Sequence, residues 1–170
     1  IVNADDLALA EGANQGIFEA YDAGVITDLS LMANGEAFDS AVRGLEARGI
    51  TGVGLHFCLV DEERALTREA VAAGLADGNG RFPFRNSLFR RVVTGGRQFR
   101  DAIAAELSAQ YQRIVAQGLR VTHVDSHQHV HQFPGISDVV IEFCRSRHVP
   151  AIRVVEPPLL ASVMSPPMVA

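Results

Sequence analysis

"ITGVGLHFCLV", residues 50–60, is apolar almost throughout, and its reading decides the fold. It reads as a strand covered on both faces, which is the pattern of a parallel sheet. Working back toward the N-terminus, residues 36–48 carry a helical pattern closed by Gly49. Before them "VITDLSLMAN", residues 25–34, alternates partly, is rich in β-branched residues and reads as a strand ending near Asn34. A helix with Ala13, Ile17, Ala20 and Tyr21 on one face precedes that strand and stops at Gly24. The first apolar run, Ile1 to Ala4, is a short strand that halts at Asp5-Asp6.

Working forward, the signal weakens from about 61 to 97, where "ADGNGRFPFRNS" is turn chemistry and "VVTGGRQ" marks another break. A strong helix then runs from about 98 to 117, with Phe99, Ile103, Leu107, Tyr111 and Ile114 at spacings of three and four. "LRVTHVDSH" is a fourth strand, residues 135–147 a helix, and "VPAIRVV" a fifth strand. After Glu156, four prolines in eleven residues fit no regular element. Strand and helix in alternation give an α/β fold with a parallel sheet and right-handed crossovers. Five such strands make either an open sheet or most of a barrel.

At 170 residues the chain is one domain. Hydrophobic residues at 48% and charged residues at 21% are those of a soluble globular protein. A net charge of −5 argues against a nucleic-acid partner, because binding phosphates takes a basic stripe. No apolar run is long enough to span a bilayer, and no signal-peptide pattern is present. Cys58 and Cys144 sit in apolar surroundings and read as buried thiols of a cytoplasmic protein. The sequence opens on "IVNADD" without a methionine, which suggests a missing leader.

The polar residues fall where the strands end. Asp5 and Asp6 follow the first strand, Asn34 the second, and His56 lies within the third. Asp125, His127 and His129 end the fourth, inside "HVDSHQHVH" (123–131), and Arg153 lies in the fifth. In parallel sheets and barrels ligands bind at the carboxyl ends of the strands, so these side chains converge. Each taken singly has a plainer explanation. Asp5-Asp6 would serve as a helix N-cap, and His56 as a hydrogen-bonded core residue. His123 and His148 read as surface or packing residues. His127, His129 and His131 share one face with Asp125 only while the chain stays extended; a turn after Ser126 would part them. Together, imidazoles and carboxylates are natural ligands for a divalent first-row metal that leaves positions open for water and substrate. A neighbouring carboxylate can then serve as general base. No HExxH, CxxC pair, EF-hand loop, GxSxG elbow or P-loop competes with this reading. The residues by themselves point to a metal-dependent hydrolase.

"IVNADDLALAEGANQGIFEAYDAGVITDLSLMANG", "VGLHFCL" and "THVDSHQHVHQFP" together resemble the YdjC-like carbohydrate deacetylase family. That family includes chitooligosaccharide deacetylases and relatives associated with hopanoid biosynthesis. The resemblance spans residues 1 to 155, and "DSHQHVH" favours the chitooligosaccharide branch. It implies a distorted (β/α) barrel of the glycoside hydrolase/deacetylase type, incomplete in this chain, and removal of an N-acetyl group from a sugar by attack of metal-bound water. It also implies one divalent metal, magnesium, on Asp6, His56 and His127, with Asp5 as general base. His129 is the candidate proton donor to the leaving amine. Asn34, Asp125 and Arg153 are candidate substrate contacts, Arg153 alternatively orienting Asp5. Two imidazoles by themselves favour zinc or another transition ion over magnesium. A homodimer follows from the resemblance alone. The chain departs from the family in reading "ADDLA" for "ADDFG", and in length: the family's chains run well beyond residue 170, as if this were a fragment. A metal-dependent phosphoesterase, or a metal- or sugar-binding module without catalysis, are the alternatives.

Overall fold

The computed structural model describes residues 1–61 and 63–155. The proline-rich segment expected to be irregular lies outside the described residues. Four parallel strands form one sheet in the order β1-β2-β3-β4: β1 Asn3–Leu7, β2 Asp28–Leu31, β3 Gly52–Phe57 and β4 Arg120–Ser126. Spatial order equal to chain order is the order of a barrel rather than of a doubly wound sheet. Helices α1 (Glu11–Asp22) and α2 (Phe38–Ala47) link the first three strands. The long β3–β4 connection holds α3 (Arg68–Ala72), α4 (Arg85–Thr94) and α5 (Arg97–Val115), and α6 (Ile136–Arg147) follows β4. Thus the stretch with a weak sequence signal contains two helices, both short. The strand expected over 25–34 narrows to four residues.

The sheet has two unlike faces. Leu29, Leu31, Val53, Leu55, Phe57 and Val124 are all 0–2% exposed and build the core with Phe38, Leu45, Ile103 and Leu107 from the helices. The other face carries Asn3, Ser30, Gly54, His56, His123 and Asp125, linked by hydrogen bonds from strand to strand. β3 is covered on both faces, as expected, but one of them is polar. Its alternate residues are Gly54 and His56, which suits a barrel interior lined by polar side chains. His123, read as a surface or packing residue, packs on this inner face. A Cβ at Gly54 would lie 2.3 Å from His123 Nε2 and 2.7 Å from Ser30 Oγ, so glycine is what lets the imidazole cross β3. Ser30 donates its single proton to Asp125 (2.8 Å), so His123 Nε2 must donate to Ser30.

Two expected boundaries differ. β1 runs through Asp5-Asp6 to Leu7, with Arg153 as the partner of Asp5, and His56 and His127 as the partners of Asp6. The fifth strand reduces to a single parallel bridge, Val124 to Ile152. Two backbone bonds fix it: Val124 N–H donates to the Ala151 carbonyl (3.0 Å), and Arg153 N–H to the Val124 carbonyl (2.9 Å). That one step is enough to lay Arg153 beside β4. Among the described residues no helix is long and apolar enough to cross a membrane.

Candidate active site

Consecutive strand residues point to opposite faces, so Asp5 and Asp6 should not face one site. The backbone breaks the alternation. Asp6 has φ 62°, and the β1–β2 register slips between Ala4 and Leu7. This bulge turns both carboxylates toward the same cluster of side chains. Ala8, φ 85°, is also left-handed, at the position where the resembling sequences carry the glycine of "ADDFG". Ala8→Gly is therefore expected to stabilise the protein by about 1 kcal/mol. Thermal unfolding should move up by about 2–4 °C; a fall instead would mean that the buried methyl group outweighs the strain.

His56 stands in register with Asp125, and its Nδ1 donates to Asp125 Oδ1 at 2.8 Å. Its Nε2 is sealed from solvent, 3.0 Å from Asp6 Oδ1 but off any hydrogen-bond axis. The same Asp6 oxygen accepts from His127 Nδ1 at 2.7 Å. Burial would push His56 down, but the hydrogen bond to Asp125 and the charges of Asp125 and Asp6 outweigh it and raise its pKa to about 9. His127 is raised against its burial in the same way, Asp6 contributing most. Asp6, itself partly buried, is held well below the usual carboxylate range by the two imidazoles. In effect, protons on the imidazoles supply the positive charge that the carboxylates demand.

The three spaced histidines do not share a face. The chain leaves β4 at Ser126 and enters a 3₁₀ segment, His127–Gln132, in which Gln128 and His129 have φ 52° and 56°. His127 goes to Asp6. His131 turns inward, accepting from Ser126 Oγ–H and donating from Nε2 to the Arg153 carbonyl at 2.9 Å, a structural pair. His129 keeps a buried Nδ1 with no hydrogen-bond partner. Desolvation lowers its pKa, and Asp5's charge is the main influence pulling it back up.

Arg153 grips Asp5 with both Nη atoms (2.6 and 2.7 Å) and reaches Asp125 Oδ2 with Nη2 at 2.7 Å. Asp125 is 0% exposed and also accepts from Ser30 and His56, so its oxygens are committed within the protein. Asn34, 6% exposed, donates from Nδ2 to the Arg64 carbonyl at 3.1 Å and braces the loop after β3. Among the described residues, two groups offer mutually close ligand atoms, within 4.8 Å of one another: Asp6, His56 and His127, and Asp5, His56 and Asp125. Arg153 already occupies both carboxylates of the second. The first suits a divalent cation: one carboxylate oxygen flanked by two ring nitrogens, one of them buried without a hydrogen bond. Sequence reasoning missed Asp61, which reaches His127 from the far side. Its only signal is its position, just past the carboxyl end of β3.

Residues 1–167 match the family described as YdjC-like protein. A carbohydrate deacetylase of Brevibacillus brevis is 38% identical over 88% of this chain and 57% of its own length. One of Geobacillus stearothermophilus is 39% identical over 96% and 63%. A chitooligosaccharide deacetylase of Salmonella paratyphi B is 38% identical over 91% and 58%. The chain thus spans about three fifths of the length of these relatives. A solved structure from Enterococcus faecalis V583, provisionally described as a cellobiose-phosphate cleavage protein, superposes with a TM-score of 0.81 at 24% identity. It covers 93% of this chain and 59% of that one, a likeness of fold.

Proposed function

The chain belongs to the YdjC-like family, and from that premise we propose that it is part of one catalytic domain that removes the N-acetyl group from an N-acetylated sugar or chitooligosaccharide. The observation that carries the reading is Asp6 Oδ1 flanked by His56 Nε2 and His127 Nδ1. These three residues would hold one divalent ion, and such an ion lowers the pKa of a bound water from near 16 to about 7 and polarises an acyl oxygen. Two imidazoles suit zinc or another transition ion, while the resemblance points to magnesium.

The chain's own residues supply the rest. Asp5 lies beside the ligand carboxylate, with its direction fixed by the two-point grip of Arg153, and the resemblance makes it the candidate general base. Asp125 orients His56 as the hydrogen-bonded partner behind a ligand does. Burial disfavours the charged form of His129, which must gain a proton before it can pass one to the leaving amine. In this reading Arg153 and Asp125 position other groups, and Asn34 remains the candidate for a sugar hydroxyl. A phosphoester substrate fits less well. Arg153 is the guanidinium that the described contacts place in the cluster, and two carboxylates already hold it. The two buried thiols, Cys58 and Cys144, suit a cytoplasmic setting, and a homodimer is carried from the resemblance.

The test is acetate release from N-acetylated chitooligosaccharides by the full chain, with Zn²⁺ or Mg²⁺ and after chelation. Asp5→Asn is expected to lower kcat by about 10²–10⁴-fold with ion content unchanged. Equal rates in variant and wild type would overturn the assignment of the base. No acetate from the wild type with either ion would overturn the activity.

A further inference from the structure

The ring nitrogens of His56 divide their work: one turns to Asp6, and the other donates to the buried Asp125. His127 has the same division. Its Nδ1 faces Asp6 at 2.7 Å, and its Nε2 lies 3.1 Å from Asp61 Oδ2. We infer that Asp61 is the positioning carboxylate of His127, fixing the ring so that Nε2 keeps its proton, while Nδ1, which donates to Asp6 in the ion-free protein, would give up its proton to an ion shared with Asp6. Asp61 acts through His127 and has no contact with the reacting atoms. The inference rests on the metal reading of the Asp6–His56–His127 cluster, which it deepens.

Three observations support it beyond the distance. The same Asp61 oxygen accepts from Gln128 Nε2, so one carboxylate holds both His127 and the first left-handed residue after it. Asp61 itself has φ 61°, a conformation that a short polar side chain tolerates and a free loop would have little reason to keep. The loop carrying it is fastened on both sides by buried polar groups of α5. Gln110 brackets Cys58, accepting from its N–H (3.1 Å) and donating to its carbonyl (2.8 Å). Glu106, 0% exposed, accepts from Leu66 N–H, Thr67 N–H and Thr67 Oγ at 2.8–3.1 Å, and from Gln110. A solvated surface acid needs no such fastening. An imidazole that ligates through one nitrogen is held and made more basic by a carboxylate on the other, and such partners are worth 10–100-fold in metal affinity.

The experiment is titration calorimetry of the full chain with Zn²⁺ alone, in wild type, Asp61→Asn, Asp61→Ala and Asp61→Glu. Long-range ¹H–¹⁵N correlation of the zinc-loaded proteins reports which nitrogen of His127 is protonated. We expect zinc affinity to fall about 10–100-fold in Asp61→Ala and less in Asp61→Asn, with Asp61→Glu recovering most of it. The wild-type spectrum should show Nε2–H. Wild-type affinity in a folded Asp61→Ala, or zinc bound through Nε2 of His127, would overturn the inference and leave the metal reading standing. A wild type that binds no zinc would overturn both. If all three variants lose affinity together with thermal stability, Asp61 is a folding residue of the loop and the inference fails.

Discussion

Asp6→Asn is expected to keep the fold and lose the divalent ion. Asparagine tolerates the φ of 62° at this position, and the side chain is 36% exposed, so little packing changes. What changes is charge. Asp6 is the only anion among the three ligand groups, and its oxygen is the point on which both imidazoles converge. Replacing a carboxylate by a neutral amide should weaken zinc binding by about 10³-fold or more, roughly 4 kcal/mol on the tenfold-per-1.4 scale. Metal content per chain after dialysis against mixed Mg²⁺ and Zn²⁺ measures this directly, with His127→Ala as a companion. About one tightly held ion in the wild type and none in the variants is the expected pattern. An ion that survives Asp6→Asn would have to sit elsewhere, and the other ligand group, Asp5, His56 and Asp125, would be where to look.

Asp125→Ala is expected to cost about 3–5 kcal/mol of folding stability, because removing one partner of a buried charged set leaves the others uncompensated. Asp125 is 0% exposed and takes Ser30 Oγ, His56 Nδ1 and Arg153 Nη2 at 2.7–2.8 Å. For a domain whose whole stability is of order 5–15 kcal/mol, that is a large share. The pH profile separates this from simple loss of packing. Among the groups that raise His56 to about 9, Asp125 is the strongest. A raised folded-state pKa contributes stability that is fully present below the unfolded value of 6.5 and disappears as pH rises through 9. The metal-free wild type should therefore lose stability from about pH 6.5 to 9, and Asp125→Ala should show a flatter profile there. Denaturant midpoints across that range measure both effects. An unchanged midpoint at pH 7 would mean that Ser30, His56 and Arg153 are satisfied without Asp125.

Much of this was legible in the residues. The apolar run at 50–60 gave β3, the glycines at 24, 49 and 118 gave helix ends, and the polar strand ends gave Asp5, Asp6, His56, Asp125 and His127 as one cluster. Those signals are local: periodicity, turn chemistry and the ends of parallel strands. Short helices such as α3 escape them, because five residues hold too few turns to show a period. Asp61 escapes them because its partner, His127, is 66 residues away.

By itself the sequence determined the α/β order of elements, the family and the chemical types gathered at one end of the sheet. Only the tertiary structure decided which of those groups face one another. The bulge at Asp6 overrides strand alternation, and the left-handed pair Gln128-His129 parts three histidines that a strand would have aligned. Arg153 joins through a single ladder step. In each case the direction of a side chain is set by one or two backbone dihedrals. Contacts distant in the chain hold those dihedrals in place, and no pattern of neighbouring residues encodes them.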